Sequence, residues 1–271
     1  MILSVINQKG GVGKTTTAVN TAAALAQWGH STLLVDLDPQ GNATSGCGIN
    51  LGQIGGPTLY EALVAAQDKG QEILRPAIAP SAVEKLSVIG ASSELAGSEV
   101  ELADDSKRDG LRRILTPLKA DYSFIVIDTP PSLSLLTVNS LVAADRLMIP
   151  VQCEYFALEG LGQLLRTLEK IRRFLNPNLS VMGLLRTMYD PRVALSAQVS
   201  AELEKHFPNL LFKTMIPRNV RLAEAPSFGR PIALHDKRSP GADAYRRLAV
   251  EVLARAGKEP SHSEKKSVKT S

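Results

Sequence analysis

Residues 2–28 read ILSVINQKGGVGKTTTAVNTAAALAQW. An apolar run, Ile2 to Asn7, leads into a glycine loop, and from Lys14 to Trp28 alanines and leucines recur at helical spacing until Gly29 ends the pattern. A loop between a strand and the first turn of a helix points several backbone N–H groups at one place. The helix dipole adds positive potential there, so the arrangement binds an anion, and phosphate above all. Gly10, Gly11 and Gly13 let the backbone approach closely, Lys14 reaches the β- and γ-phosphates, and the Thr15 hydroxyl can ligate Mg²⁺. The common pattern G-x-x-x-x-G-K-[ST] asks for glycine at position 8, where this chain has Gln8 with a second lysine, Lys9, beside it.

Outward from this unit the chain repeats the same alternation. Thr32 to Val35 (TLLV) is a second buried strand running into Asp36-Leu37-Asp38-Pro39. Further apolar runs stand at Leu86–Ile89, Phe124–Ile127, Leu147–Val151, Val181–Leu185 and Leu210–Phe212. Helical patterns fill the gaps at Leu111–Leu118, Leu133–Ala143, Leu158–Phe174, Ser196–His206 and Ala242–Ala256. Strands that are continuous apolar runs, alternating with helices, predict an α/β fold: a single P-loop NTPase domain whose mostly parallel, twisted sheet carries helices on both faces. With no internal repeat and no linker, residues 1–256 form one domain, and the sequence GKEPSHSEKKSVKTS, residues 257–271, is expected to be a disordered basic tail. Asp128 closes the run FIVID, where a carboxylate at a strand's C-terminal end can hold magnesium through water. Asp36 and Asp38, two apart, lie on one side of their strand end, and either can orient an attacking water.

The 271 residues are 44% hydrophobic and 21% charged, enough for a sizeable core. Cys47 and Cys153 have no C-x-x-C partner and make no disulfide framework, which suits a reducing, cytoplasmic setting. The apolar start is too short for a signal peptide or a membrane span. Net charge is +4, but between Arg186 and Arg255 there are 12 Lys/Arg against 7 Asp/Glu, so the basic balance belongs to the C-terminal third. Charge alone fits a solvated surface as well as a polyanion-binding face.

Taken together, QKGGVGKTTT, VDLDPQGNATSG, IDTPPSL, PVQCEYFALEG and IPRNVRLAEAPSFG resemble the ParA/Soj family of partition ATPases, part of the deviant Walker A class that also holds MinD and the nitrogenase iron protein. The resemblance spans Met1 to about Arg255. It implies ATP and Mg²⁺ as cofactors and an ATP-bound homodimer in which Lys9 crosses the interface to the partner's nucleotide. It further implies that Gly10, Gly11, Val12 and Gly13 wrap the phosphates, that Lys14 binds phosphate, that Thr15 ligates the metal and that Thr16 contacts the α-phosphate. By the same resemblance Asp38 activates water, Asp128 is the metal-side carboxylate, and Asp36 orders the loop and the metal's water shell. Pro217 and Asn219 are expected to frame the adenine.

The tail lacks the apolar face of a MinD-type membrane helix. The cysteines do not stand where an iron protein holds its cluster. The chain begins at its first strand, so no helix-turn-helix domain is expected. Arg192 and Arg221 match arginines that Soj-like proteins use on DNA of any sequence, while Lys237, Arg238, Arg246 and Arg247 are open to two readings, an extension of that patch or ordinary surface salt bridges. The implied activity is partition of a chromosome or plasmid on the nucleoid, with non-specific double-stranded DNA and a ParB-like centromere-binding protein as partners. Alternatives are a related ATPase positioning a protein cargo, such as a carboxysome or chemoreceptor cluster, and a metabolic P-loop enzyme such as an amidoligase.

Overall fold

The computed structural model describes residues 1–54, 56–67, 69–97 and 108–259. Seven strands form one sheet: β1 Ile2–Val5, β2 Thr32–Asp36, β3 Ile78–Pro80, β4 Leu86–Ile89, β5 Phe124–Asp128, β6 Arg146–Gln152 and β7 Ser180–Thr187. Their order is β3-β4-β2-β5-β1-β6-β7, with every pair parallel except β3 with β4.

The strands read as unbroken apolar runs because both faces of the sheet are covered. On β2, Leu33 and Val35 enter one core while Leu34 enters the other; on β5, Ile125 and Ile127 oppose Phe124 and Val126. The first core takes Leu141, Leu164, Leu168 and Leu203 from helices Leu135–Ala143, Ala157–Phe174 and Ala194–His206. The second takes helix α1, Lys14–Gln27, and the C-terminal helix Pro240–Arg255, through Ala18, Ala22, Leu25, Tyr245, Leu248 and Val252. Alanines on α1 let it lie close to the sheet beneath the phosphate loop.

Two elements differ from the sequence reading. The run Leu210–Phe212 makes only a single bridge, Leu184 with Leu211, and not a strand. Leu184 N donates to Leu210 O at 2.9 Å and Phe212 N to Leu184 O at 3.0 Å, so pairing starts there and goes no further, while the Arg255 guanidinium ties the same corner together by donating to the carbonyls of Met182 (2.6 Å), Leu210 (3.0 Å) and Leu211. Gly183 makes room, because a Cβ there would stand 2.5 Å from the Phe212 ring. The helix expected over Leu111–Leu118 runs Gly110–Leu115 and then tightens to a 3₁₀ turn at Pro117–Ala120, as proline dictates. Of the expected tail, Gly257–Glu259 are described, with the Lys258 ammonium donating to Ser123 O at 3.0 Å; residues 260–271 lie outside the described residues. Among the described residues no helix is long and apolar enough to cross a membrane.

Candidate nucleotide site and basic surface

The parallel topology brings the C-terminal ends of β1, β2, β5 and β7 to one edge, where α/β sheets bind ligands. The phosphate loop leaves β1 at Val5 and enters α1 through Gly13, whose φ of 86° is left-handed; Gly11, at 74°, is left-handed too. No side chain caps α1, so its first N–H groups are left to an incoming anion. Neighbouring strands brace the loop: Thr187 Oγ1 donates to Val12 O at 2.8 Å, and Asn7 Nδ2 donates to Pro150 O at 2.7 Å. Lys14 is buried, its Nζ donating to Lys9 O at 3.2 Å. Burial lowers its pKa, opposed by the nearby Asp128 and Asp38 carboxylates. Gly10 is different. Its φ is not left-handed and a Cβ there would meet nothing within 4 Å, so nothing inside the chain requires glycine at this position.

Three carboxylates meet under the loop, and their partners separate their roles. Asp36 is spent on the fold: Oδ2 accepts from Thr44 N (2.8 Å) and Thr44 Oγ1 (2.7 Å), and Oδ1 accepts from Asp38 N (3.2 Å). Burial lifts its pKa to about 6 despite those bonds. Asp128 pairs in register with Asp36 on the adjacent strand and is fully buried; neither oxygen makes a well-formed hydrogen bond among the described residues, the Thr15 hydroxyl being near enough only to favour its charged form. Burial first, and Asp36 second, push its carboxyl well above the ordinary range, opposed by Thr15 and Lys14. An orphaned buried carboxylate beside a threonine hydroxyl and an anion seat fits a hydrated divalent cation. Among the described residues no three His, Cys, Asp or Glu side chains are grouped so as to hold a metal ion by themselves.

The penalty on Asp128 is absent below the ordinary carboxylate pKa and grows as pH rises toward the elevated one. Asp128→Asn is therefore expected to raise the thermal midpoint of the nucleotide-free protein at pH 8 by several degrees. The amide is neutral, so the variant escapes the desolvation cost of an ionised carboxylate, roughly 1–3 kcal/mol for a buried unsatisfied group, and each kcal/mol moves a chain of this size by roughly 2–4 °C. Magnesium-dependent hydrolysis should fall at least about tenfold in the same protein. Calorimetry without nucleotide checks this, and a lower midpoint would mean that the carboxylate is satisfied.

Beside the loop lies a mostly apolar cavity of about 340 Å³, lined by Gly13, Thr16, Thr187, Met188, Pro217 and Asn219 among others. Asn219 Oδ1 accepts from Leu222 N at 3.2 Å and so caps helix Val220–Glu224, leaving its amide nitrogen for a ligand. Met188, at φ 50°, is one of two left-handed non-glycine residues among those described. Sequence reading passed over Met188, Thr187 and Tyr245, which also lines this cavity. The signal available was the polar stretch TMYD at the end of an apolar run.

Arg218 lines the cavity, and Arg192, Arg221, Arg246 and Arg247 stand in ion pairs. Arg192, its side chain 87% exposed, is paired with Asp190 at 2.7 Å, and its hydrogen bonds hold the Asp190 carboxyl down at about 2. Arg218 N donates to Tyr189 O, which joins this end to Arg221; Arg221 pairs with Glu224 (2.9 Å) and lies 3.7 Å from Asp236. Arg246 and Arg247 share Asp243, and Arg246 also donates to Lys237 O. The two cysteines are buried and free, and burial pushes their thiols up to about 12 for Cys47 and about 11 for Cys153.

A family model described as an AAA domain matches residues 1–181. The chain is 51% identical over 254 residues to the sporulation initiation inhibitor protein Soj of Bacillus subtilis, covering 93% of this chain and 98% of that one. It is 50% identical over 255 residues to the chromosome-partitioning ATPase Soj of Thermus thermophilus, covering 93% and 95%. A cobyrinic acid a,c-diamide synthase from Mycobacterium smegmatis, solved with ADP and magnesium, superposes with a TM-score of 0.79 at 33% identity, covering 96% and 97%. A phosphate loop braced by β6 and β7, an orphaned carboxylate beneath it and half the residues in common with Soj over nearly the whole length have one consistent meaning: the chain belongs to the ParA/Soj family of chromosome-partitioning ATPases.

Proposed function

We propose that the protein partitions DNA in the cytoplasm: its ATP-bound form is a sandwich dimer that binds double-stranded DNA without sequence preference on the nucleoid, and hydrolysis, stimulated by a ParB-like centromere-binding partner, releases it. The observation that carries this reading is the position of the basic surface. Arg218 lines the base cavity, Arg192 pairs with Asp190, a carboxylate that also feels Arg218, and Arg221 is carried on the short helix whose Val220 and Leu222 line the same cavity, so groups suited to DNA phosphates lie near the expected nucleotide site. Doubling such a surface in a dimer multiplies phosphate contacts and ties DNA affinity to ATP. Gly10 supports the dimer, since a glycine with open space around it inside one subunit suits a place where a second backbone approaches.

In this scheme Lys14 and the first N–H groups of α1 hold the triphosphate, Thr15 and, through water, Asp128 hold Mg²⁺, and Asp38 orients the attacking water. The metal, when bound, neutralises charge on the phosphates. The metabolic-enzyme reading has the synthase structure in its favour, but at 33% identity against 50% or more for the two Soj proteins.

DNA binding compared in ATP, ADP and no nucleotide tests the proposal. The parent should bind in ATP and lose affinity in ADP. Arg192→Glu with Arg221→Glu should abolish binding while leaving ATP-dependent dimerisation intact, and each lost phosphate contact should flatten the log–log salt dependence by about 0.9. Binding at low salt with an unchanged slope would remove these arginines from the contact surface.

A further inference from the structure

A second cleft, of about 230 Å³, opens on the other side of Thr16 from the base cavity. Its walls are mixed: Val19, Ala225, Pro226 and Pro231 are apolar, while Thr15, Thr16 and Asn20 from α1, with Asn42, Ser45 and Arg230, supply the polar groups. The Arg230 side chain makes no hydrogen bond or ion pair among the described residues, whereas the nearby Arg221 is held by Glu224. Its backbone, by contrast, is closely constrained. Gly229, at φ 60°, packs against the Gly48 backbone so closely that a Cβ on Gly48 would stand 2.7 Å from Gly229 O. Arg230 N donates to Ala225 O at 3.3 Å, and two residues on Ile232 N donates to Asn20 Oδ1 at 2.8 Å, while Asn20 Nδ2 donates to Thr16 O at 2.8 Å. The segment carrying Arg230 is thus tied to the helix that carries Thr15 and Thr16.

We propose that Arg230 is a positioning residue for the bound nucleotide, its guanidinium meeting, across this cleft, the phosphate that lies against Thr16. Thr16 lines both cavities, so a nucleotide whose base fills one has its first phosphates beside the other. A guanidinium without a carboxylate partner has no ion pair to break before it meets a phosphate and can do so through two parallel N–H groups. The opposite wall, Asn42–Gly46, is the segment held by Asp36 through Thr44, so the cleft joins the phosphate loop to the loop that bears Asp38. This inference rests on the nucleotide reading of the phosphate loop and is independent of the DNA reading.

Equilibrium binding of fluorescent ATP and ADP analogues to the full chain tests it, with Lys14→Ala as the reference for lost phosphate binding. Arg230→Gln should weaken ATP and ADP alike by about tenfold, because the phosphate against Thr16 is common to both, and should raise KM with kcat changed less than about twofold. Arg230→Lys should recover part of the loss. If Lys14→Ala abolishes binding while Arg230→Gln stays within twofold of the parent for both nucleotides, the inference is overturned. Unchanged nucleotide affinity with weakened DNA binding would overturn it too, assigning Arg230 to the basic surface. If Lys14→Ala itself binds like the parent, it is the nucleotide reading that fails.

Discussion

Asp38→Ala is expected to bind ATP with the parent's affinity while single-turnover hydrolysis falls by roughly 10²- to 10⁴-fold, the usual cost of losing a group that orients or deprotonates water. The distinction from Asp36 is geometric. Both oxygens of Asp36 are engaged by Thr44 and by the backbone of Asp38, which leaves Asp36 holding the loop in place. Asp38 stands beyond the end of β2, largely buried, with Oδ1 fixed by Gln40 N at 3.0 Å and Oδ2 accepting no hydrogen bond among the described residues. It is close enough to Lys14 and Asp128 to influence both electrostatically. One oxygen held and one free, beside the phosphate seat, is what a water-orienting carboxylate needs. Hydrolysis within about tenfold of the parent rate would place that role elsewhere. Asp36→Ala should instead lower stability along with activity, because Thr44 N and Oγ1 would lose their acceptor.

Lys9→Ala, placed in the Asp38→Ala background to prevent turnover, is expected to bind one ATP per chain and to remain monomeric where the parent background forms a dimer in ATP and Mg²⁺. In the single chain the Lys9 ammonium is paired with Glu154 at 2.7 Å, both side chains nearly half exposed. An ion pair so open to solvent is worth at most about 1 kcal/mol, so it yields readily to a stronger anion. Two triphosphates facing each other across an interface repel strongly unless a cation stands between them, and Lys9 sits at the open rim of the loop, next to Gly10 with its free surroundings. Removing that cation should weaken dimerisation by about 100-fold or more, and hydrolysis and DNA binding should fall with it. Sedimentation of the two proteins decides the matter: a double variant that dimerises as tightly as Asp38→Ala alone would leave Lys9 as an ordinary partner of Glu154.

The readings that survived best depended on local pattern. The seed unit from Ile2 to Trp28 became β1, the phosphate loop and α1, because the apolar run and the alanine-rich repeat each favour one element and the glycines between them admit the left-handed turns that join the two. The short antiparallel edge strand β3, Ile78–Pro80, was not legible, since three residues ending in proline carry no periodicity. The run at Leu210–Phe212 had the composition of a strand, but its pairing with β7 stops at a single bridge, which composition alone does not reveal.

The sequence by itself determined the fold class, the loop between β1 and α1, and the aspartates at the ends of β2 and β5, because each is encoded by residue type at short spacing, whereas Arg192 and Arg221 stood out only through the family resemblance. Only the tertiary structure decided which aspartate is structural and which is left with a free oxygen, because that depends on Thr44 folding back onto Asp36. It alone paired Lys9 with Glu154 and Arg192 with Asp190, and it alone brought Arg230 to a cleft beside Thr16, more than two hundred residues away in the chain. Spacing along a sequence specifies turns and faces, whereas the partners of a charge are set by which loops the parallel sheet gathers at one edge.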